Sequence, residues 1–153
     1  MSEKGKKVIA FRLGKEEFAL SLLQVLSIER VNEISRIPRL PEQVRGVSEL
    51  RGEVTPVMDM RSFMDVPHYK DDEANRILVI NFEGTKLGLL VDEAKDVLTV
   101  QPDDYEELEL TDEEARIYEV AKVDDRKLFI IKDLTLFLTE LDMDAIERLR
   151  EVV

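Results

Sequence analysis

Two stretches of the chain carry the same hydrophobic rhythm 69 residues apart, which points to a fold built from two related units. Val8 to Leu13, a turn at Gly14-Lys15-Glu16-Glu17, and Phe18 to Leu20 read as a β-hairpin. Arg76 to Phe82, a turn at Glu83-Gly84-Thr85-Lys86, and Leu87 to Val91 read as another. Overlaid, residues 8–31 and 77–100 share 11 apolar positions in 24, among them Phe11/Ile80, Phe18/Leu87, Val25/Ala94 and Ile28/Val97. Chance pairing gives about 7.6, so this overlay is suggestive and needs a second match.

The second match is Val44 to Met64 against Ile117 to Leu138, with Lys127 treated as one inserted residue. Val47/Val120, Leu50/Val123, Val57/Ile131, Asp59/Asp133 and Phe63/Phe137 coincide. Each copy ends in a strand and then an aspartate that can N-cap a short apolar helical turn. The same order at nearly the same offset indicates a duplicated half-domain. The halves run approximately over 8–64 and 76–138 within one domain spanning 1–153, joined through the polar, Pro67-containing stretch Asp65 to Asn75.

The other expected strands are Val25 to Val31, Val54 to Met58, Val97 to Val100, Ile117 to Val123 and Lys127 to Ile131. Short strands separated by turn residues imply a mainly β fold of small sandwiches or barrels. Gln101 to Ala115 holds eight acids and no base and reads as a solvated loop. Within it Thr111-Asp112-Glu113-Glu114 fits a capping box that starts one helical turn. A second box, Asp144 to Glu147, opens an expected C-terminal helix over 144–153 with Ile146, Leu149 and Val153 on one face.

Composition excludes several function classes. With 34 acids against 22 bases the net charge is −12, which repels phosphate backbones and argues against a nucleic-acid partner. No cysteine is present, so disulfides, thiolate metal sites and thiol catalysis are out, and a reducing compartment fits. No apolar run approaches the ~20 residues that span a bilayer, and no signal-peptide core follows the basic N-terminus. His68 is the single histidine and falls in the joining stretch, which makes a metal centre or a Ser-His triad a poor fit. Asp142 and Asp144 do not continue into a calcium loop, and the glycines around Arg45 to Gly52 lack phosphate-loop spacing. No catalytic constellation, metal site or cofactor site emerges.

The most particular segment is Gly46-Val47-Ser48-Glu49-Leu50-Arg51-Gly52-Glu53-Val54-Thr55-Pro56-Val57-Met58-Asp59-Met60-Arg61. Arg51-Gly52 reads as a tight turn between two strands, with glycine supplying positive φ. Pro56 lacks an N–H and so confines its strand to an edge or a bulge. An arginine at such a turn either staples it or offers its planar fork to a partner.

These residues resemble the CheW family, the adaptor proteins of bacterial chemotaxis. The similarity starts at Phe11 to Leu20 and passes through Val25, Ile28 and Arg36-Ile37-Pro38. It is strongest from Gly46-Val47 through Leu50-Arg51-Gly52 to Pro56-Val57-Met58-Asp59-Met60-Arg61, and it returns at Leu87 to Asp92. Departures are Glu49, Glu119 and Lys132, which touch local turn geometry in the second half. The resemblance implies two five-stranded SH3-like barrels side by side, with short helices and no catalysis or cofactor. It implies a stand-alone cytoplasmic scaffold recruited to membrane-associated receptor arrays. The partners it implies are the cytoplasmic tip of a chemoreceptor and the regulatory domain of the histidine kinase CheA. By positional match Val25 and Ile28 fall near the receptor groove, with Val47, Leu50 and Arg51 bordering it. Kinase contacts would fall on the ends of both barrels. The alternative is a two-barrel regulatory module for another bacterial signalling kinase or protein, without chemoreceptor binding.

Overall fold

The computed structural model describes residues 5–38, 44–63, 71–107 and 110–138. The expected C-terminal helix and His68 lie outside them. Eleven strands are described: β1 (Lys6–Leu13), β2 (Glu16–Ser21), β3 (Val25–Arg30), β4 (Val44–Leu50), β5 (Glu53–Asp59), β6 (Arg76–Phe82), β7 (Thr85–Val91), β8 (Glu93–Val100), β9 (Tyr105–Glu106), β10 (Tyr118–Val123) and β11 (Arg126–Ile131). Three short helices join them: α1 (Met60–Phe63), α2 (Asp112–Ile117) and α3 (Leu134–Phe137). Thr111 caps α2 through the expected capping box, and Asp133 caps α3 by accepting from the Leu136 N–H. Asp59 plays the same part for α1, accepting from the Arg61 N–H at 3.0 Å.

The strands form a six-stranded sheet, β8-β1-β2-β11-β10-β9, and a five-stranded sheet, β3-β6-β7-β5-β4. Only β11–β2 and β5–β7 are parallel; every other pair is antiparallel. The sixth strand, β9, corrects the reading of Gln101 to Ala115 as loop: Tyr105 and Glu106 pair with Ala121 and Val120. The four hairpin turns are each two residues long, as expected at Arg51-Gly52 and shorter than the four residues expected at 14–17 and 83–86. Three of them have positive φ at both central positions, which suits right-twisted strands, and Gly14-Lys15 has it at Gly14 alone. At Asp124 and Asp125 both residues take that conformation without any glycine.

Each sheet draws strands from both repeats. The hairpin β1–β2 of the first repeat sits among β8, β10 and β11 of the second, and β6–β7 sits among β3, β4 and β5. Connector length explains the exchange. If β3 paired with β1 of its own repeat it would run parallel to β2, and parallel neighbours need a crossover of a dozen or more residues. Only Leu22–Gln24, a single 3-10 turn, separates β2 from β3, and only Asp92 separates β7 from β8. Strand three of each repeat therefore cannot flank its own first strand, and the third strand of the other repeat takes that place.

The registers also move the inserted residue of the second repeat. Hairpin and parallel pairs hold an offset of 73 through Leu50/Val123 and Val57/Ile130, and the helix caps Asp59 and Asp133 stand 74 apart. The extra residue is Lys132, between β11 and α3, and not Lys127. Pro56 is a further correction. Its strand β5 is an inner one, but pairing with β7 covers only Val57, Met58 and Asp59, so the missing N–H removes no bond on that side.

Three apolar clusters hold the sheets. The largest lies between them, where Phe11, Leu13, Phe18 and Leu20 of one hairpin meet Leu78, Ile80, Leu87 and Leu89 of the other. The opposite face of β1–β2 packs Val8, Ala10 and Ala19 on Ala121 and Leu128, and that of β6–β7 packs Ile77, Val79 and Leu90 on Leu50 and Val57. Both hairpins are buried on two faces, which is why they read as continuous apolar runs. Each fully buried aliphatic side chain contributes roughly 1.5–3 kcal/mol.

Candidate functional site

Strand β3 forms one edge of the smaller sheet, and its residues alternate between half-buried and exposed. Val25 packs against the main core from the half-buried side. Leu26 and Ile28 face outward at 52% and 42% exposure, a large apolar surface for an edge strand. Glu29, on the inner side, receives a hydrogen bond from Arg51 Nε at 2.6 Å. That bond, with a further one from Ser27, holds the Glu29 carboxyl below its ordinary pKa.

Arg51 stands in the β4–β5 turn at φ 50, followed by Gly52 at φ 81. A non-glycine residue there costs about 1 kcal/mol, and the turn orients the side chain toward β3. The guanidinium still leaves 73% of the Arg51 side chain open to solvent, whereas Glu29 is mostly covered. A charged fork is thus held in an exposed position at Glu29, the neighbour of Ile28 along β3 but on the strand's other face.

Val47 and Leu50 take a different position. They are 8% and 6% exposed, inside the core, and act on the surface from beneath. Leu50 packs with Val57, Ile77 and Leu90, with Val31 and Ile34 against the same cluster. Val47 exchanges two backbone hydrogen bonds with Ser35, at 2.8 and 2.9 Å, bringing the chain after β3 across to β4. Of the five residues marked in the sequence, Ile28 and Arg51 present surface; Val25, Val47 and Leu50 support it.

The sequence reading missed a second polar centre. Arg61 is fully buried and lays its fork on Asp59, with bonds of 2.9 and 3.1 Å. It also reaches Asp92 at 3.2 Å and Asp71 at 3.0 Å. Arg45 pairs with Asp59 at 2.8 Å and contacts Asp71. Asp92 in turn accepts the Gly14 N–H at 2.6 Å, and its carbonyl accepts from Asn75. Burial works against the Arg61 charge, but Asp59, Asp71 and Asp92 outweigh it and hold its pKa above the ordinary value. Asp71 is pushed up by partial burial and pulled down further by the Arg61 and Arg45 bonds, for a net lowering. These ionised groups are matched to one another, so the cluster is a joint between the repeats at the single-residue connector. Its signal was the Asp59-x-Arg61 spacing, noticed only as part of a wider motif.

Among the described residues no group of three or more His, Asp or Glu is placed to hold a metal ion, and no helix is long and apolar enough to cross a membrane.

Comparison with known proteins agrees with this geometry. Residues 7–142 match the CheW-like domain. The chain is 37% identical over 130 residues to the chemotaxis protein CheW of Bacillus subtilis, covering 83% of each chain. It is 27% identical over 133 residues to CheW of Helicobacter pylori, covering 86% of this chain and 81% of that one. The crystal structure of the scaffolding protein TtCheW from Thermoanaerobacter tengcongensis superposes with a TM-score of 0.75 at 28% identity, covering 88% of this chain and 89% of that one. With its duplicated strands, its Arg51-Gly52 turn and this match over most of its length, the chain belongs to the CheW-like domain family of non-catalytic chemotaxis scaffolds.

Proposed function

We propose that this chain is a cytoplasmic coupling scaffold that holds a chemoreceptor tip and the regulatory domain of the histidine kinase CheA in one array. Each sheet closes as an SH3-like barrel, and the two barrels lie side by side. Family membership supports the partner pair. The observation that carries the receptor half is the β3 edge, where Leu26 and Ile28 are exposed on one face and the largely exposed Arg51 is held by Glu29 from the other. Apolar anchors with a charged rim suit a protein partner, since desolvated anchors supply affinity and the rim supplies selectivity. Ile28 and Arg51 touch the receptor, while Val25, Val47 and Leu50 set the shape of the contact. The kinase takes the ends of the barrels.

Titration calorimetry with a receptor cytoplasmic fragment and the kinase regulatory domain, separately and then together, tests the reading. Simultaneous binding of both is the expected result. Binding to neither would return the chain to a regulatory module for another signalling protein. Arg51→Ala should weaken receptor binding about tenfold or more. The same change should alter stability by no more than about 1 kcal/mol, because the lost ion pair is largely solvent-exposed on the arginine side. Parallel losses of melting temperature and affinity would assign Arg51 a structural role only.

A further inference from the structure

A groove of about 720 Å³ opens where the start of β1, the Leu22–Gln24 turn and the β11–α3 connection meet. Its apolar part includes Leu22 and Leu23, at 36% and 94% exposure, immediately before β3. Its charged part is Lys6, Lys7 and Lys132, all exposed, with Glu119 the one carboxylate among the described residues that line it. None of the three lysines forms an ion pair with a carboxylate among the described residues. On a chain of net charge −12 three ammonium groups around one apolar groove, unpaired among the described residues, are a local reversal of sign. Lys132 is also the residue that breaks the internal repeat, so the first repeat has no counterpart of it.

We propose that this groove continues the β3 contact surface and selects an acidic segment of the receptor partner, with Lys6, Lys7 and Lys132 meeting its carboxylates and Leu22 and Leu23 its apolar side chains. The inference rests on the receptor-docking reading of β3 and gives that partner its chemistry. A protein segment fits better than an enclosed small ligand because Leu23 projects almost wholly into solvent, where only a macromolecular surface can cover it. The long-range field of the chain repels an acidic partner, and the lysines supply the local attraction that orients it.

The test uses the full chain and the triple variant Lys6→Glu/Lys7→Glu/Lys132→Glu, titrated with a receptor cytoplasmic fragment at low and high salt. Wild-type binding should weaken with salt. The variant should bind roughly tenfold or more weakly at low salt and lose most of that salt dependence. Leu23→Ser should weaken binding at both salt concentrations. Undiminished binding of the kinase regulatory domain by both variants reports an intact fold. If wild type binds no receptor fragment, the docking reading itself fails. If wild type binds and the charge-reversed chain binds equally well, the lysine assignment is overturned while the docking reading stands. Salt-sensitive binding of wild type to phosphatidylglycerol vesicles, lost in the variant whose receptor affinity is unchanged, would overturn it in favour of a lipid surface.

Discussion

Arg61 shows how a charge can be safe in a core. Its fork is held by Asp59 on one side and by Asp92 and Asp71 on the others. Removing the arginine therefore leaves two buried carboxylates short of a partner, Asp59 keeping Arg45 and Asp92 keeping the Gly14 N–H. Breaking a buried pair by deleting one partner costs about 3–5 kcal/mol, and Arg61→Met should fall in that range by urea denaturation. A loss under about 1 kcal/mol would mean that water or a rearranged Arg45 replaces it. The pH dependence has a definite sign. Asp71 and Asp96 titrate below the ordinary aspartate range, Asp96 chiefly through its bond from Arg126. A lowered carboxylate adds stability that is complete above the unfolded value, ~3.9, and is lost as pH falls through the folded one. Unfolding followed from pH 6 to pH 2 should therefore show a loss beginning near pH 4, steeper in wild type than in Asp96→Asn. None of this network was legible in the sequence, because Asp71 and Asp92 lie far from Arg61 along the chain and ordinary aspartates are plentiful. The Glu29–Arg51 pair was hidden for the same reason, although Arg51 itself stood out at its turn.

At the scale of elements, the closure of β4 on the segment after β3 depends on Gly46. Its φ is 148, the β4–β5 register shifts there, and a Cβ built on it would lie 2.1 Å from the Ser35 carbonyl oxygen. Backbone cannot retreat as a flexible side chain can, so Gly46→Ala should destabilise by about 2 kcal/mol or more. The effect should be concentrated in faster hydrogen exchange at the Ser35 and Val47 amides, which bond to each other's carbonyls across this crossing. Uniform acceleration over both sheets would instead indicate global loosening. Element existence was largely readable: both hairpins, the Thr111 capping box and the matching helix caps at Asp59 and Asp133 follow from apolar alternation and local polar residues. What was misread had a physical cause. Two-residue turns extend each strand into residues that look like polar loop, as at Glu16 and Thr85. The acidic stretch conceals β9 because Tyr105 and Glu106 bond through backbone, which composition does not report.

For the whole molecule, strand exchange makes the repeats dependent on each other. The first repeat by itself holds the pairs β1–β2 and β4–β5 and a lone β3; the second holds β6–β7, β10 with β9 and β11, and a lone β8. The parallel contacts and both flanking positions of each central hairpin are supplied by the other repeat. An isolated hairpin is marginal in water, and the main apolar cluster needs both hairpins at once. The duplication was legible as an offset of 69, but the exchange follows from a feature not used in that reading, the three-residue and one-residue connectors. The intact chain should accordingly unfold in one transition, with coincident curves by far-ultraviolet circular dichroism and by fluorescence of its three tyrosines, since it has no tryptophan. Fragments 1–70 and 71–153 should each lack a cooperative thermal transition, and mixing them should restore strand signal in a concentration-dependent way. A fragment 1–70 that melts cooperatively as a monomer would mean that β3 can return to its own repeat across Leu22–Gln24. That path would have to turn β3 through a full strand length within three residues, whose extended reach is only about 10 Å, against ~17–20 Å for a typical strand.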